Sequence, residues 1–113
     1  MRDLFDEYIG HQQSALRAYR WLIEHYRNPL VWNMKTVVEH AECVRLARER
    51  MEGLKPHIKT ASRSCLERGV PEEIAEFLEL CAALAEGTND INRMQSELER
   101  AEEEQRRRIG VSV

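Results

Sequence analysis

Four histidines, three cysteines and 20 acidic residues are the groups with which this chain of 113 residues could do chemistry. A carboxylate-bridged metal centre inside a helical bundle needs Glu-x-x-His pairs that project inward. The residues three before His11, His25, His40 and His57 are Tyr8, Leu22, Val37 and Leu54, so no such pair exists. Glu7 and His11 share a helix face at i,i+4, and His40 precedes Cys43 by three. A zinc site needs four converging ligands, or three and a water, and no set of that size can be named. Cys43, Cys65 and Cys81 are odd in number and widely spaced. That is no disulfide framework; it reads as small buried hydrophobes in a reducing, cytoplasmic setting.

An Arg separated from a later His by four to six intervening residues is the spacing of the HEPN ribonucleases, a family of small helical bundles. Arg20–His25 and Arg50–His57 show it. Among 14 Arg and four His, about one or two such hits arise by chance. The second pair also crosses Gly53 and Pro56, which should spoil its presentation on a helix. Cys65 to Glu76 resembles the entry to a helix-turn-helix. The following Phe77 to Glu86 stays apolar and acidic, however, without a turn or a base, and phosphate repels such a surface. Phosphate-cradling glycine loops and nucleophile elbows are missing from the sequence. No catalytic, cofactor-binding or metal residue is assigned, and the chain is expected not to be an enzyme.

The elements that must position any site are helical. Hydrophobic residues make up 42% and charged residues 33% of 13.3 kDa, which suits one domain with a modest core. Five Gly and three Pro are too few for a turn-rich β protein. No stretch approaches the ~20 apolar residues of a membrane span. Asp3 and Asp6 stand where a signal peptide would be basic and then apolar. The expectation is an all-α, antiparallel helical bundle of three to five helices, cytoplasmic and away from membranes, built on a long N-terminal helical hairpin.

Punctuation and period divide residues 1–113 into elements. Apolar residues recur at helical spacing over 3–27, with Phe5, Tyr8, Leu16, Tyr19, Leu22, Ile23 and Tyr26 on one half of the wheel. Asn28-Pro29 reads as a cap and first helical residue, opening a second helix that closes the hairpin 3–53. Its main stripe is Leu30, Met34, Val37, Ala41, Val44 and Met51. Pro56 either ends or kinks it, leaving a short helix over 57–68. Pro71 starts an acidic helix over 71–86, followed by a charged helix over 89–108. Gly87 costs only ~1 kcal/mol inside a helix, so those two are either separate or continuous. Residues 110–113 read as a frayed tail.

Charge is unevenly spread. Residues 29–69 carry a net +3 and residues 70–92 a net −6, against −3 for the chain. Packing of the acidic helix beside the basic one would account for this. The run Glu102 to Arg108 sets up three Glu→Arg pairs at i,i+4, as a solvated helix end does. Trp21, and with it Trp32, Cys43 and Leu46, falls outside the main apolar faces, and Met94, Leu98 and Ala101 form a narrow seam. Trp21, Trp32, Cys43, Leu46, Met94 and Leu98 are therefore the candidate protein interface, used for a protein partner and for a homodimer. Arg45, Arg48, Lys55, Lys59 and Arg63 recur at helical spacing and are the candidate phosphate contacts if the partner is a nucleic acid. The leading expectation is a helical interaction protein that binds another macromolecule: an adaptor, an inhibitor or an assembly subunit.

Overall fold

The computed structural model describes residues 1–28 and 33–110. These form three helices and no strand: α1 (Arg2–Arg27), α2 (Met34–Arg68) and α3 (Pro71–Gly110). The all-α bundle read from the sequence is the fold. Its axes are longer than the hairpin arms foreseen, and the molecule is a rod of 64 × 20 × 18 Å.

One boundary differs from the sequence reading, and two that it left open are decided. α2 begins at Met34, where the Asn33 side chain accepts a hydrogen bond from the Thr36 N–H at 3.3 Å. It does not begin at Pro29, and Leu30 and Trp32 lie outside the described residues. Neither Pro56 nor Gly87 ends a helix. The turn at the other end is as the punctuation implies. Gly69 adopts φ 65° and its N–H reaches the Cys65 carbonyl at 3.3 Å, a left-handed cap that suits glycine. Pro71 then starts α3.

The chain reverses twice, so α1 and α3 run parallel and α2 runs against both. α1 packs along α2 and along α3, whereas α2 and α3 make few contacts with each other. The acidic stretch of α3 therefore lies beside α1 and not, as charge alone suggested, along basic α2. Arg2 of α1 takes Glu76 at 2.6 Å, and Arg27 takes Glu104 at 3.5 Å near the other end. One α2–α3 ion pair is described, Arg68 with Glu73 by the turn, at 2.9 Å.

Buried residues repeat at alternating spacings of three and four, so each helix keeps one stripe inward. Tyr8, Ala15, Leu16 and Tyr19 of α1 pack with Ala47 and Met51 of α2 and Ile91 of α3 in the central cluster. Phe5, Cys65, Phe77 and Leu80 make a second cluster near the α2–α3 turn. Ile58 and Leu84 touch both. Met94 and Leu98 pack against the central cluster.

One buried polar side chain sits between α1 and α3. Gln12 is 1% exposed, and its Nε2 donates to the Leu84 carbonyl at 2.9 Å and the Thr88 hydroxyl at 3.2 Å. A Cβ placed on Gly87 would come within 2.2 Å of Gln12 Oε1. Gly87→Ala should therefore destabilise the fold by about 1–2 kcal/mol, although alanine is the better helix former by ~1 kcal/mol. In a Gln12→Ala background the same change should become stabilising. Urea unfolding of the four proteins checks this. Additive effects would show that the two residues do not share the space.

The cysteines are not alike. Cys43 is exposed, Cys65 is buried and Cys81 is intermediate, so Cys43 departs from the expected buried role. Burial pushes the Cys81 thiol up, with a smaller contribution from Cys65. Under native conditions a thiol reagent should label Cys43 first and Cys81 much more slowly, with Cys65 reacting only on unfolding. Mass spectrometry of the labelled peptides gives the order. Early modification of Cys65 would contradict this packing.

Candidate functional site

Because α2 and α3 both lean on α1 but hardly on each other, a groove runs between them with α1 as its floor. In its upper half, an opening of ≈ 300 Å³ is lined by Tyr19, Leu22 and Tyr26 of α1, by Val37, Ala41 and Val44 of α2, and by Gln95, Leu98, Glu99 and Glu102 of α3. Met34 and Val38, on the adjoining rim of α2, are 58% and 57% exposed. Tyr19, Leu22 and Val37 are buried at the base of the opening, while Tyr26, Val44 and Leu98 are half-buried and Ala41 is exposed along its walls. Burial pushes the Tyr26 phenol up, and the nearby Glu102 carboxylate adds to the shift.

The lower half is polar. A second opening, ≈ 170 Å³, is lined by Tyr8, Gln12, Arg48, Met51, Glu52, Lys55, Thr88, Ile91 and Asn92. Arg48 separates the two halves. Its Nη1 donates to the Tyr19 hydroxyl at 2.7 Å and to Gln95 Oε1 at 2.9 Å, tying all three helices together. Lys55 pairs with Glu52 at 2.6 Å. That hydrogen bond raises the Lys55 ammonium, while the neighbouring Arg48 charge lowers it.

The candidate interface residues do not converge. Trp21 is half-buried, with His25 stacked on one side (centroids 3.3 Å, planes 18°) and His40 of α2 stacked against it as well (3.7 Å, 4°). Each imidazole Nδ1–H donates to a main-chain carbonyl, His25 to Trp21 and His40 to Thr36. The indole thus joins α1 to α2 and is not an open anchor. Cys43 and Leu46 are exposed. They lie two residues beyond groove-lining Ala41 and Val44, hence about 200° round the helix on the opposite face. Met94 and Leu98 face α1, though Leu98 also lines the groove.

The five candidate phosphate contacts are all exposed. Arg45 is held by Glu42 and by Glu49, the latter at 2.9 Å, and Lys55 and Arg48 are engaged as described. Lys59 and Arg63 have no ion pair among the described residues. None of the five meets Glu72, Glu76, Glu79 or Glu86 among those residues; their partners lie mostly on α2 itself. Of the three expected Glu→Arg pairs, Glu103–Arg107 is seen at 3.5 Å. Glu104 also meets Arg27, and Glu102 lines the groove.

Arg20 and His25 are five residues apart, about 140° round α1, so they do not share a face. Arg50 and His57 do share one, because α2 runs unbroken through Gly53 and Pro56. Both are exposed and about 10 Å apart along the axis. No group of three or more His, Cys, Asp or Glu able to hold a metal occurs among the described residues. No described helix is long and apolar enough to cross a membrane.

Sequence reasoning missed the groove because Val37, Ala41, Val44, Tyr19 and Tyr26 all read as core. The one available signal was the width of the α1 face, which demands more than one covering neighbour. No family model, curated protein or solved structure matches this chain.

Proposed function

We propose that this chain is a non-enzymatic, cytoplasmic helical interaction protein, an adaptor, inhibitor or assembly subunit, that seats a helix of another protein in the α2–α3 groove. The observation that carries the reading is the gap itself. Two helices cover α1 but pack little on each other, leaving an apolar channel whose walls expose Tyr26, Ala41, Val44 and Leu98 at least in part above buried Tyr19 and Leu22. A helix laid in such a channel completes a four-helix arrangement, with anchors at i, i+3, i+4 and i+7.

A direct test uses a labelled, neutral amphipathic peptide of Leu, Ala and Gln and follows its anisotropy with the full chain. Ala41→Glu, at an exposed position in the groove, should weaken binding by at least about 10-fold. Cys43→Glu, on the opposite face, should leave it unchanged. The reverse pattern would move the interface to the outer face of α2.

Phosphate binding by the exposed stripe on α2 is the second reading, favoured by the free Lys59 and Arg63. Two contacts imply a shallow salt dependence, with a slope of about −2 in log K against log salt. Self-association would use the groove or the exposed outer face of α2 around Cys43 and Leu46, because Met94, Ala101 and Trp21 are already engaged within the chain.

A further inference from the structure

The charges along the groove are not symmetric, and they specify its occupant more closely. At the upper end α3 presents Glu99 and Glu102, and beside them on α2 Arg45 is already compensated by Glu42 and Glu49. That end is acidic. At the lower end α2 presents Arg48 and Lys55 against the single carboxylate of Glu52, while α3 contributes the neutral Thr88 and Asn92. That end is basic. Among the described residues Arg48 uses only Nη1, on Tyr19 and Gln95, which leaves further N–H donors for a carboxylate.

The separation follows from helix geometry. Arg48 and Gln95 lie at one level. Lys55 is seven residues along α2 from Arg48, and Glu102 is seven along α3 from Gln95. The two helices run in opposite senses, so the two charged ends lie about 21 Å apart, the rise of about 14 helical residues.

Resting on the docking function proposed above, we infer that the groove selects a partner helix of opposite end charges. The partner carries Lys or Arg at the end beside Glu99 and Glu102. It carries Asp or Glu about 9 to 14 residues away, between Arg48 and Lys55 or beside Lys55, with an apolar stripe in between. Complementary charge sets its direction in the groove and rejects uniformly charged helices. A second copy of this chain supplies no such helix among the described residues: its exposed Leu46 and Leu66 lie about 160° apart round α2, and Leu78 and Ile109 about 140° apart round α3.

Three labelled helical peptides of about 18 residues test this, all with the same leucine stripe. One has three Lys at one end and three Glu at the other; the second has Lys at both ends and the third Glu at both. With the full chain at low salt, the peptide of opposite ends should bind at least about 10-fold tighter than either control, and the margin should shrink at high salt. Glu99→Lys with Glu102→Lys, after thermal melting shows that the variant folds, should shift the preference to the all-Glu peptide. Equal binding of all three peptides would overturn the charge selection while leaving the docking function in place. Binding of none would overturn both. Light scattering that shows a dimer from which peptides are excluded would give the groove to a second copy instead, and would also overturn the selection.

Discussion

Replacing Phe5 by Ala is expected to lower the unfolding free energy by about 3–5 kcal/mol. Phe5 is 1% exposed and meets Phe77 edge to face, with centroids 6.2 Å apart and planes at 84°. Its neighbours in the cluster are Cys65, from the last turns of α2, and Leu80 of α3. One ring therefore joins all three helices where the α2–α3 turn closes. An alanine would leave a cavity, because the surrounding side chains belong to three long helices that cannot collapse independently. It would also weaken the docking of the α1 N-terminus, which Arg2–Glu76 holds at the surface. An exposed pair of that kind contributes little alone. Urea titration of the variant beside the parent chain measures the effect. A loss below about 1 kcal/mol would show that the end cluster does not anchor α1.

Pro56→Ala should act in the opposite direction, stabilising the protein by about 2 kcal/mol. Pro56 is exposed inside α2, so its removal opens no cavity. A prolyl residue cannot donate to the carbonyl four residues back, here Glu52, and its ring crowds that carbonyl. Alanine restores the bond and gains the difference in helix propensity of ~3 kcal/mol, less the ~0.4–1 kcal/mol by which proline restricts the unfolded chain. Just beyond Pro56, Thr60 and Ser62 hydroxyls donate back to the Pro56 and Ile58 carbonyls at 3.0 and 2.7 Å, as side chains do where a helix bends. Thermal melting gives the sign directly. A lower melting temperature would mean that Pro56 itself is needed to aim Ile58 and Cys65 at α1.

The two variants separate what local sequence decides from what packing decides. Helical character follows from local spacing: Tyr8, Gln12, Ala15 and Tyr19 return to one side of α1 every turn, whatever lies beside it. The Gly69–Pro71 turn is equally local, since a left-handed residue and a first-position proline each carry their own conformational preference. Pro56 and Gly87 are different. Their penalties of ~3 and ~1 kcal/mol are smaller than what burial of Cys65, Leu84 and Ile91 along α1 returns. Only the folded chain shows that both helices continue. Asn28-Pro29 carried a sound local cap signal, yet the cap observed is Asn33.

The groove is the clearest case of tertiary decision. In sequence, Val44, Leu98 and Tyr26 look like ordinary core, because a 3.6-residue period marks which side is apolar and not how many neighbours will cover it. Whether α2 and α3 close over α1 depends on contacts summed between residues such as those 29 to 76 positions apart. Gln12 seated against Gly87 and Arg48 bridging Tyr19 to Gln95 belong to that sum. The end charges of the groove arise in the same way. Glu102 and Lys55 are distant in sequence and belong to one channel only because α2 runs against α3 with α1 between them, a geometry that long-range packing selects and local periodicity does not encode.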